Sequence, residues 1–307
     1  MILDILILLI GFALLIEGAN LLIEGSVCLA RKYSISHTII GLTIIAAGTS
    51  APEYAVSFIG ALSDKSNISV GNVIGSNILN IGFVLGLIAL ISPLKIKTRE
   101  IKFDILFLIF IGIILILMAI NNVISHIEGV ILLIGFIYYI YLCYKRRKAS
   151  VEEILPEPHK AKTLKIVLFI IGGIIGLTAG GKITVYSAEQ IARLIGVSDT
   201  IISLSIVALG TSLPELITSI IASIKKQAKI SVGNIVGSNI FNLLFCLGSA
   251  ATAVGLKFSF KEIKIDVAVM LLFSIILYPI VMGNKIKRFE GAILLGIYIL
   301  YIIFLYS

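Results

Sequence analysis

One stretch of sequence occurs twice in the chain and decides its fold. Residues 43–80 read TIIAAGTSAPEYAVSFIGALSDKSNISVGNVIGSNILN, and residues 205–242 read SIVALGTSLPELITSIIASIKKQAKISVGNIVGSNIFN. They align without a gap at a constant offset of 162, and 19 of their 38 positions are identical. Chance similarity between apolar segments would match leucine and isoleucine, whereas these matches include proline, glutamate, asparagine, serine and glycine. The sequence therefore predicts an internal duplication.

The rest of the chain is too apolar for a soluble protein. Of its 307 residues, 59% are apolar and 14% are charged, against roughly 25% charged residues in a typical soluble domain. This composition excludes a soluble enzyme, a secreted module and a disordered protein, and it predicts an all-α polytopic membrane protein. The basic residues lie in short stretches between apolar segments, so neither a nucleic-acid partner nor an obligate protein partner is predicted.

Ten apolar segments approach or exceed the roughly 20 residues that a helix needs to cross a bilayer. They run about 2–30, 37–62, 70–92, 103–120, 125–144, 164–192, 200–224, 231–254, 265–283 and 289–306. We expect a five-helix repeat at 1–145, a polar linker at 146–163 and a second five-helix repeat at 164–307. Because five is odd, the second repeat is inverted, which is the plan of secondary transporters whose site lies near mid-membrane.

The distribution of lysine and arginine predicts the orientation. The odd-numbered loops carry 19 of these residues and the even-numbered loops carry 5. Since basic loops stay in the cytoplasm, the odd loops and the linker 146–163 are predicted to be cytoplasmic and both termini extracellular. We expect a multi-pass protein of the cell membrane.

A glutamate in each repeat indicates a cation site. Glu53 and Glu215 lie near the centres of their spans, where an unpaired carboxylate costs several kcal/mol. Thr49 and Ser50 precede Glu53 by four and three residues, so a continuous helix would place all three oxygens on one face. Pro52 should break that helix and free the carbonyls from about residue 46 to 49, because proline has no N–H and its ring clashes with a carbonyl.

The second repeat carries the same arrangement, in which Pro214 precedes Glu215. Serine and asparagine are also spaced by four residues in each repeat, at Ser76 and Asn80 and again at 238 and 242. Carboxylate, hydroxyl, amide and carbonyl oxygens are hard ligands that suit Ca²⁺ and Na⁺ and argue against zinc or copper. Two carboxylates balance one Ca²⁺ or two Na⁺, so the two ions would compete. No cofactor is predicted.

The paired Gly-Thr-Ser-x-Pro-Glu and Gly-Ser-Asn-Ile-x-Asn segments resemble the alpha repeats of the sodium/calcium exchanger family, within the calcium/cation antiporter superfamily. The compact chain is similar to prokaryotic and archaeal members. The resemblance implies antiport by alternating access, in which the first and sixth helices slide against the other eight, with typically three Na⁺ exchanged for one Ca²⁺. It also implies a ligand set: Glu53, Glu215 and the carbonyls of Thr49 and Thr211 for Ca²⁺; the Ala46 carbonyl, Ser50 and Ser76, and the Ala208 carbonyl, Ser212 and Ser238, for Na⁺; and Asn80 and Asn242 beside the centre.

Several alternatives stay open at this point. A proton/calcium antiporter is the nearest, although that branch typically places its glutamate in a Gly-Asn-x-x-Glu setting. Potassium-dependent relatives carry aspartate where Asn242 stands, which favours potassium independence here. A cation channel is a different class that fits an inverted repeat less well. The chain has no His-Glu-x-x-His motif and no paired membrane aspartates, so no enzyme activity is predicted.

Overall fold

The computed structural model describes residues 2–146, 162–195 and 208–306, which are helical almost throughout. Eight helices are long and apolar enough to cross a membrane, and a bent helix pair adds the second span. The described part of the seventh span is short, because the beginning of that span lies outside the described residues, as does most of the predicted linker 146–163. The chain is thus an all-α polytopic membrane protein, and the predicted ten-span class is confirmed.

The spans have the following bounds. The first is α1 (Ile2–Tyr33); the second is α2 (His37–Ile40), a π-helical turn (Gly41–Ile45), α3 (Ala46–Thr49) and α4 (Ala51–Leu62); the third is α5 (Ser66–Leu79), a π-helical turn (Asn80–Leu85) and α6 (Gly86–Ile91); the fourth is α7 (Thr98–Ala119); and the fifth is α8 (His126–Arg146). The sixth is α9 (Thr163–Leu194); the described seventh is α10 (Ala208–Gly210) and α11 (Leu213–Ile224); the eighth is α12 (Ala228–Phe241), a π-helical turn (Asn242–Cys246) and α13 (Leu247–Val254); the ninth is α14 (Phe260–Met282); and the tenth is α15 (Arg288–Tyr306).

The backbone repeats the duplication seen in the sequence. Helices α4 and α11 begin and end at positions 162 residues apart, and so do α5 and α12. Left-handed backbone conformations also recur at this offset, at Asp64 and Lys226 and at Asn122 and Asn284. Both repeats therefore fold in the same way over the described residues.

Two short strand pairs join loops of the two repeats. Strand β1 (Leu94–Lys95) in the third loop pairs antiparallel with β4 (Lys285–Ile286) in the ninth loop. Strand β2 (Val123–Ile124) in the fourth loop pairs antiparallel with β3 (Leu256–Lys257) in the eighth loop. Odd loops thus meet odd loops and even loops meet even loops, as alternating spans require. These two-residue strands had no signal in the sequence.

The third and eighth spans form the centre of the bundle, whereas the first and sixth spans pack against each other at its side. Glycines bring these two outer backbones into direct contact. A Cβ atom on Gly18 would lie 2.6 Å from the Leu177 nitrogen, and one on Gly180 would lie 2.7 Å from the Leu15 nitrogen. The first and sixth spans also expose many large apolar side chains, as expected for surfaces that face lipid.

Candidate cation site

The second span breaks at Ser50. Helix α3 ends at Thr49 and α4 begins at Ala51, with Ser50 at φ −81° and ψ 9° and a bend of 50° between the two segments. Pro52 is the second residue of α4, where its missing N–H leaves no gap in that helix. The Gly48 carbonyl loses its usual helical partner, because residue 52, four positions later, is a proline without an N–H.

The break frees fewer carbonyls than the sequence indicated. The Ala46 carbonyl accepts a hydrogen bond from the Ser50 backbone nitrogen at 3.0 Å, and the Thr49 hydroxyl lies 3.2 Å from the same oxygen. The expectation that residue 46 loses its partner is therefore wrong. The reason is that the residue four positions after Ala46 is a serine with its own N–H, whereas Gly48 is followed at that distance by Pro52.

The seventh span repeats this break at Ser212, which has φ −91° and ψ 6°. Helix α11 begins at Leu213, so Pro214 again occupies its second position and Glu215 its first turn. The preceding helix, α10, includes Ala208, and the Thr211 hydroxyl is buried and has no partner among the described residues. The two broken helices thus present Glu53 and Glu215 in equivalent positions.

The two carboxylates are each held by a serine of the other repeat. The Ser50 hydroxyl donates to Glu215 Oε1 at 2.8 Å, and the Ser212 hydroxyl donates to Glu53 Oε1 at 2.9 Å. Both glutamates are completely buried, and neither forms an ion pair with a described residue. The Oε2 atoms of both glutamates have no hydrogen-bond partner among the described residues. Each carboxylate therefore has one anchored oxygen and one available oxygen.

Further hydroxyls extend this network toward the eighth span. The Ser238 hydroxyl donates to Glu215 Oε1 at 3.3 Å and lies 3.4 Å from the Thr49 hydroxyl. The Thr49 hydroxyl also lies 3.0 Å from Asn234 Oδ1. Ser76, the equivalent of Ser238 in the third span, is buried as well.

Four asparagines cross-link the third and eighth spans. Asn77 Nδ2 donates to the Asn239 carbonyl at 3.2 Å, and Asn239 Nδ2 donates to the Asn77 carbonyl at 3.1 Å. Their side-chain oxygens accept from Asn80 and Asn242, at 3.0 Å from Asn80 to Asn239 and 3.1 Å from Asn242 to Asn77. Asn80 Oδ1 is buried and unpartnered among the described residues, whereas Asn242 Oδ1 accepts from the Cys246 thiol at 3.6 Å.

The sequence analysis did not include Asn77 and Asn239 among the candidate site residues. Their signal was present, because both belong to the repeated Gly-Ser-Asn-Ile motif. A second pair that it missed braces the broken spans. Asn72 Nδ2 donates to the Ser57 hydroxyl at 2.9 Å, and residues 234 and 219 repeat this bond at 3.0 Å.

The second span packs closely over the eighth on the side of the odd loops. A Cβ atom on Gly233 would lie 2.8 Å from the Thr38 carbonyl, and one on Gly237 would lie 2.5 Å from the Leu42 carbonyl. In the second repeat the positions equivalent to Thr38 and Leu42 are 200 and 204, which lie outside the described residues.

A polar contact joins three spans on the side of the odd loops. Glu100 at the start of the fourth span accepts from Lys229 Nζ at 3.0 Å and from the Thr38 hydroxyl at 3.2 Å. The equivalent of Lys229 in the third span is Asn67, which has no charge. The ion pair is therefore not repeated at the equivalent position on the side of the even loops.

The donor set fits a hard cation. Within the described ranges, no three or more His, Cys, Asp or Glu side chains cluster, so the two glutamates are the charged groups of the site. Available carboxylate, amide, hydroxyl and backbone oxygens surround them, and these are ligands that Ca²⁺ and Na⁺ prefer. A buried carboxylate pair without a basic partner needs either protons or a counter-charge, and a bound cation would supply the counter-charge.

Comparisons with known proteins match this chain over almost its whole length. The family described as "Sodium/calcium exchanger protein" matches residues 3–145 and 165–307. An uncharacterized membrane protein of Methanocaldococcus jannaschii is 37% identical over 296 residues, which cover 95% of this chain and 94% of that protein.

Two further relatives carry informative names. The sodium/calcium exchanger MaX1 of Methanosarcina acetivorans is 28% identical over 345 residues, covering 99% of this chain and 98% of that protein. A solved structure of the sodium-calcium exchanger NCX_Mj, soaked with zero Na⁺ and Ca²⁺, superimposes with a TM-score of 0.87 at 33% identity and covers 99% of each chain. The chain therefore belongs to the sodium/calcium exchanger family.

Proposed function

We propose that the chain is a secondary antiporter that exchanges Na⁺ for Ca²⁺ across the membrane by alternating access. One observation carries this proposal: two buried carboxylates face each other across an inverted repeat, each with one oxygen anchored and one unpartnered. Family membership supports the choice of ions, since two relatives are named as sodium/calcium exchangers. Na⁺ and Ca²⁺ are then the substrates, and the proposed exchange needs no cofactor.

We assign the central Ca²⁺ position to the available oxygens of Glu53 and Glu215 and to the carbonyls of Thr49 and Thr211. Support comes from the Oε2 atoms of both glutamates, which are buried and have no hydrogen-bond partner among the described residues. Asn80 Oδ1, which is buried and unpartnered, would complete the centre more readily than the equivalent oxygen in the second repeat.

Two flanking Na⁺ positions follow from the serines. We assign one to Ser50, Ser76 and the Ala46 carbonyl, where Na⁺ would replace the Thr49 hydroxyl as the second partner of that oxygen, and the other to Ser212, Ser238 and the Ala208 carbonyl. The serine that anchors a carboxylate would then also contact Na⁺, so occupation of a flanking position would change the hydrogen bond that orients the Ca²⁺ ligand. This coupling gives a physical route for competition between the ions.

The charge of the site bears on stoichiometry. Two carboxylates neutralise one Ca²⁺, whereas three Na⁺ would carry one further positive charge. We propose an exchange of three Na⁺ for one Ca²⁺, which moves one net charge across the membrane in each cycle.

The first and sixth spans are proposed to move as one unit during alternation. Their backbones interlock at Gly18 and Gly180, which are equivalent positions of the two repeats. Because a close-packed interface resists internal sliding, motion should occur between this pair and the other eight spans. The two repeats are proposed to span 1–145 and 164–307 and to be joined by the linker 146–163. As access alternates, each repeat would adopt the conformation that the other had before.

We propose that both termini are extracellular and that the linker lies in the cytoplasm of a cell with this protein in its plasma membrane. The excess of basic residues in odd loops supports this orientation.

Transport into proteoliposomes tests the function. An outward Na⁺ gradient should drive uptake of ⁴⁵Ca²⁺, and collapse of that gradient should abolish it. Uptake driven by a pH gradient without Na⁺ would instead identify a proton/calcium antiporter, and a requirement for K⁺ would identify a potassium-dependent exchanger. Ca²⁺ flux that is uncoupled from Na⁺ and far above transporter rates would identify a channel.

A further inference from the structure

A cleft lies away from the cation site, where β1 and β4 join the third and ninth loops. It has a volume of about 650 Å³, and polar or basic side chains line it: Lys97, Thr98, Arg99, Lys102 and Asn284. Asn284 shapes the cleft, because its side-chain oxygen accepts from the Thr98 backbone nitrogen at 2.7 Å. The cleft therefore sits at the beginning of a membrane-spanning helix.

The loops around the cleft carry a large excess of positive charge. Two acidic residues lie at 94–102 and 283–290, and each already has a partner: Glu100 accepts from Lys229, and Glu290 accepts from the backbone nitrogen of Lys287 at 2.6 Å. Seven basic residues occupy the same two segments: Lys95, Lys97, Arg99, Lys102, Lys285, Lys287 and Arg288. An anionic ligand would reduce this excess.

The strand pair beside the cleft also brings two like charges together. Lys95 lies directly opposite Lys285 in the β1–β4 ladder. Like charges at such positions are destabilising. In the equivalent β2–β3 ladder on the other side of the membrane, Lys257 lies opposite Val123, so this repulsion is absent. The concentration of positive charge is therefore a property of one side and not of the repeated fold.

The surroundings of the cleft are those of a membrane interface. Phe103, Leu106 and Phe110 follow on α7 and expose 39%, 44% and 57% of their surfaces, as lipid-facing side chains do. The Lys102 ammonium lies 5.9 Å from the centre of the Tyr278 ring, at the boundary between the cleft and the apolar part of the bundle. A ligand with an anionic head and an apolar tail matches both parts.

We propose that this cleft binds a phosphate-bearing anion, supplied by the headgroup of an anionic phospholipid in the cytoplasmic leaflet. Clusters of basic residues at the cytoplasmic ends of spans attract such headgroups. The inference uses the proposed orientation of the chain but not the choice of transported ions.

A pair of double variants tests the proposal. Arg99→Gln with Lys102→Gln removes two charges from the cleft, and Lys261→Gln with Lys264→Gln removes the equivalent charges, 162 residues on, from the opposite side. Binding of dioctanoylphosphatidylglycerol to each purified protein in neutral detergent is measured from the shift of its melting temperature. Each basic residue near the headgroups contributes roughly fivefold to the binding affinity. The cleft variant should therefore bind the lipid roughly 25-fold more weakly than the unmodified protein, and the control variant should bind it equally well.

Two ligand arms identify the source of the phosphate. Dioctanoylphosphatidylcholine should produce no shift that depends on Arg99 and Lys102. If inorganic phosphate does not displace phosphatidylglycerol, the ligand is a lipid. If millimolar phosphate displaces it, the cleft still binds an anion, but that anion is free phosphate and the assignment to a lipid is wrong. Equal binding by the cleft variant and the unmodified protein, or an equal loss in both double variants, would overturn the proposal.

A second cleft-side variant guards against a simple folding defect. Lys285→Gln removes the repulsion with Lys95 and should raise the melting temperature without lipid while weakening phosphatidylglycerol binding roughly fivefold. These opposite changes cannot come from partial unfolding. Since this readout needs no transport, its failure is distinguishable from a failure of the proposed exchange, which Na⁺-driven Ca²⁺ uptake tests separately.

Discussion

Replacing Glu53 by glutamine removes half of the proposed charge of the cation site while keeping its shape. The Ser212 hydroxyl can still donate to the remaining amide oxygen, as it does to Oε1 at 2.9 Å in the unmodified protein. The unpartnered Oε2 becomes an NH₂ group, which would direct its hydrogens at the cation. The change therefore affects the electrostatics of the site more than its packing.

The expected size of the effect follows from burial. Removing one partner of a buried charge pair costs about 3–5 kcal/mol, which corresponds to roughly a hundredfold to a few thousandfold in affinity. Coulomb energy scales with the charge of the ion, so Na⁺ should lose about half as much free energy as Ca²⁺. Ca²⁺ transport should then fall below detection at concentrations where Na⁺ still binds.

The assay compares two fluxes in the same proteoliposomes. Na⁺-driven ⁴⁵Ca²⁺ uptake should be lost in Glu53→Gln and in the equivalent Glu215→Gln, while ²²Na⁺ self-exchange should be reduced less. Glu24→Gln is the matched control, because this carboxylate also lies in a span but is exposed. Full Ca²⁺ exchange by a correctly inserted Glu53→Gln would refute the proposed site.

Two further predictions concern the asparagine cross-link and the charge of the cycle. Asn77→Ala leaves the Asn242 side-chain nitrogen without its acceptor and the Asn239 carbonyl without its donor, so it should cost roughly 1–3 kcal/mol for each unsatisfied group and lower the melting temperature; an unchanged melting temperature would mean that these bonds are unimportant. If three Na⁺ exchange for one Ca²⁺, a potential of 100 mV contributes roughly 2.3 kcal/mol and should change the equilibrium Ca²⁺ gradient about 50-fold. A gradient that is independent of voltage would indicate two Na⁺, or a coupled proton, for each Ca²⁺.

The membrane fold was predictable because its signals are strong and redundant. Ten apolar segments, the 162-residue offset and the bias of basic residues all indicate the same topology. The broken helices were also predictable, since Pro52 and Pro214 lack an N–H. The sequence was less informative about the residue at which each helix breaks, because the loss of one N–H does not determine which neighbouring turn becomes non-helical.

The contacts between the repeats were not predictable. Treating the second span as one continuous helix placed Ser50 beside Glu53, yet Ser50 is the residue at which the chain bends, and its hydroxyl reaches Glu215 of the other repeat. The π-helical turns that begin at Asn80 and Asn242 change the helical phase without any composition signal. The asparagine cross-link depends on how the third and eighth spans cross, which is a property of the packed bundle.

The close contact between the second and eighth spans carries the last prediction. Glycine inside a helix costs roughly 1 kcal/mol relative to alanine, so Gly237 weakens its own helix. Its place is explained by space, because a Cβ added at Gly237 would lie only 2.5 Å from the Leu42 carbonyl.

Gly237→Ala tests this contact. The added methyl group should push the second span away from the eighth, so the melting temperature should fall and Na⁺-driven ⁴⁵Ca²⁺ uptake should decrease, although alanine is the better helix former. Gly296→Ala is the matched control, since a Cβ there has no described atom within 4 Å, and it should not lower the melting temperature. An unchanged melting temperature in Gly237→Ala would refute the close contact between these two spans.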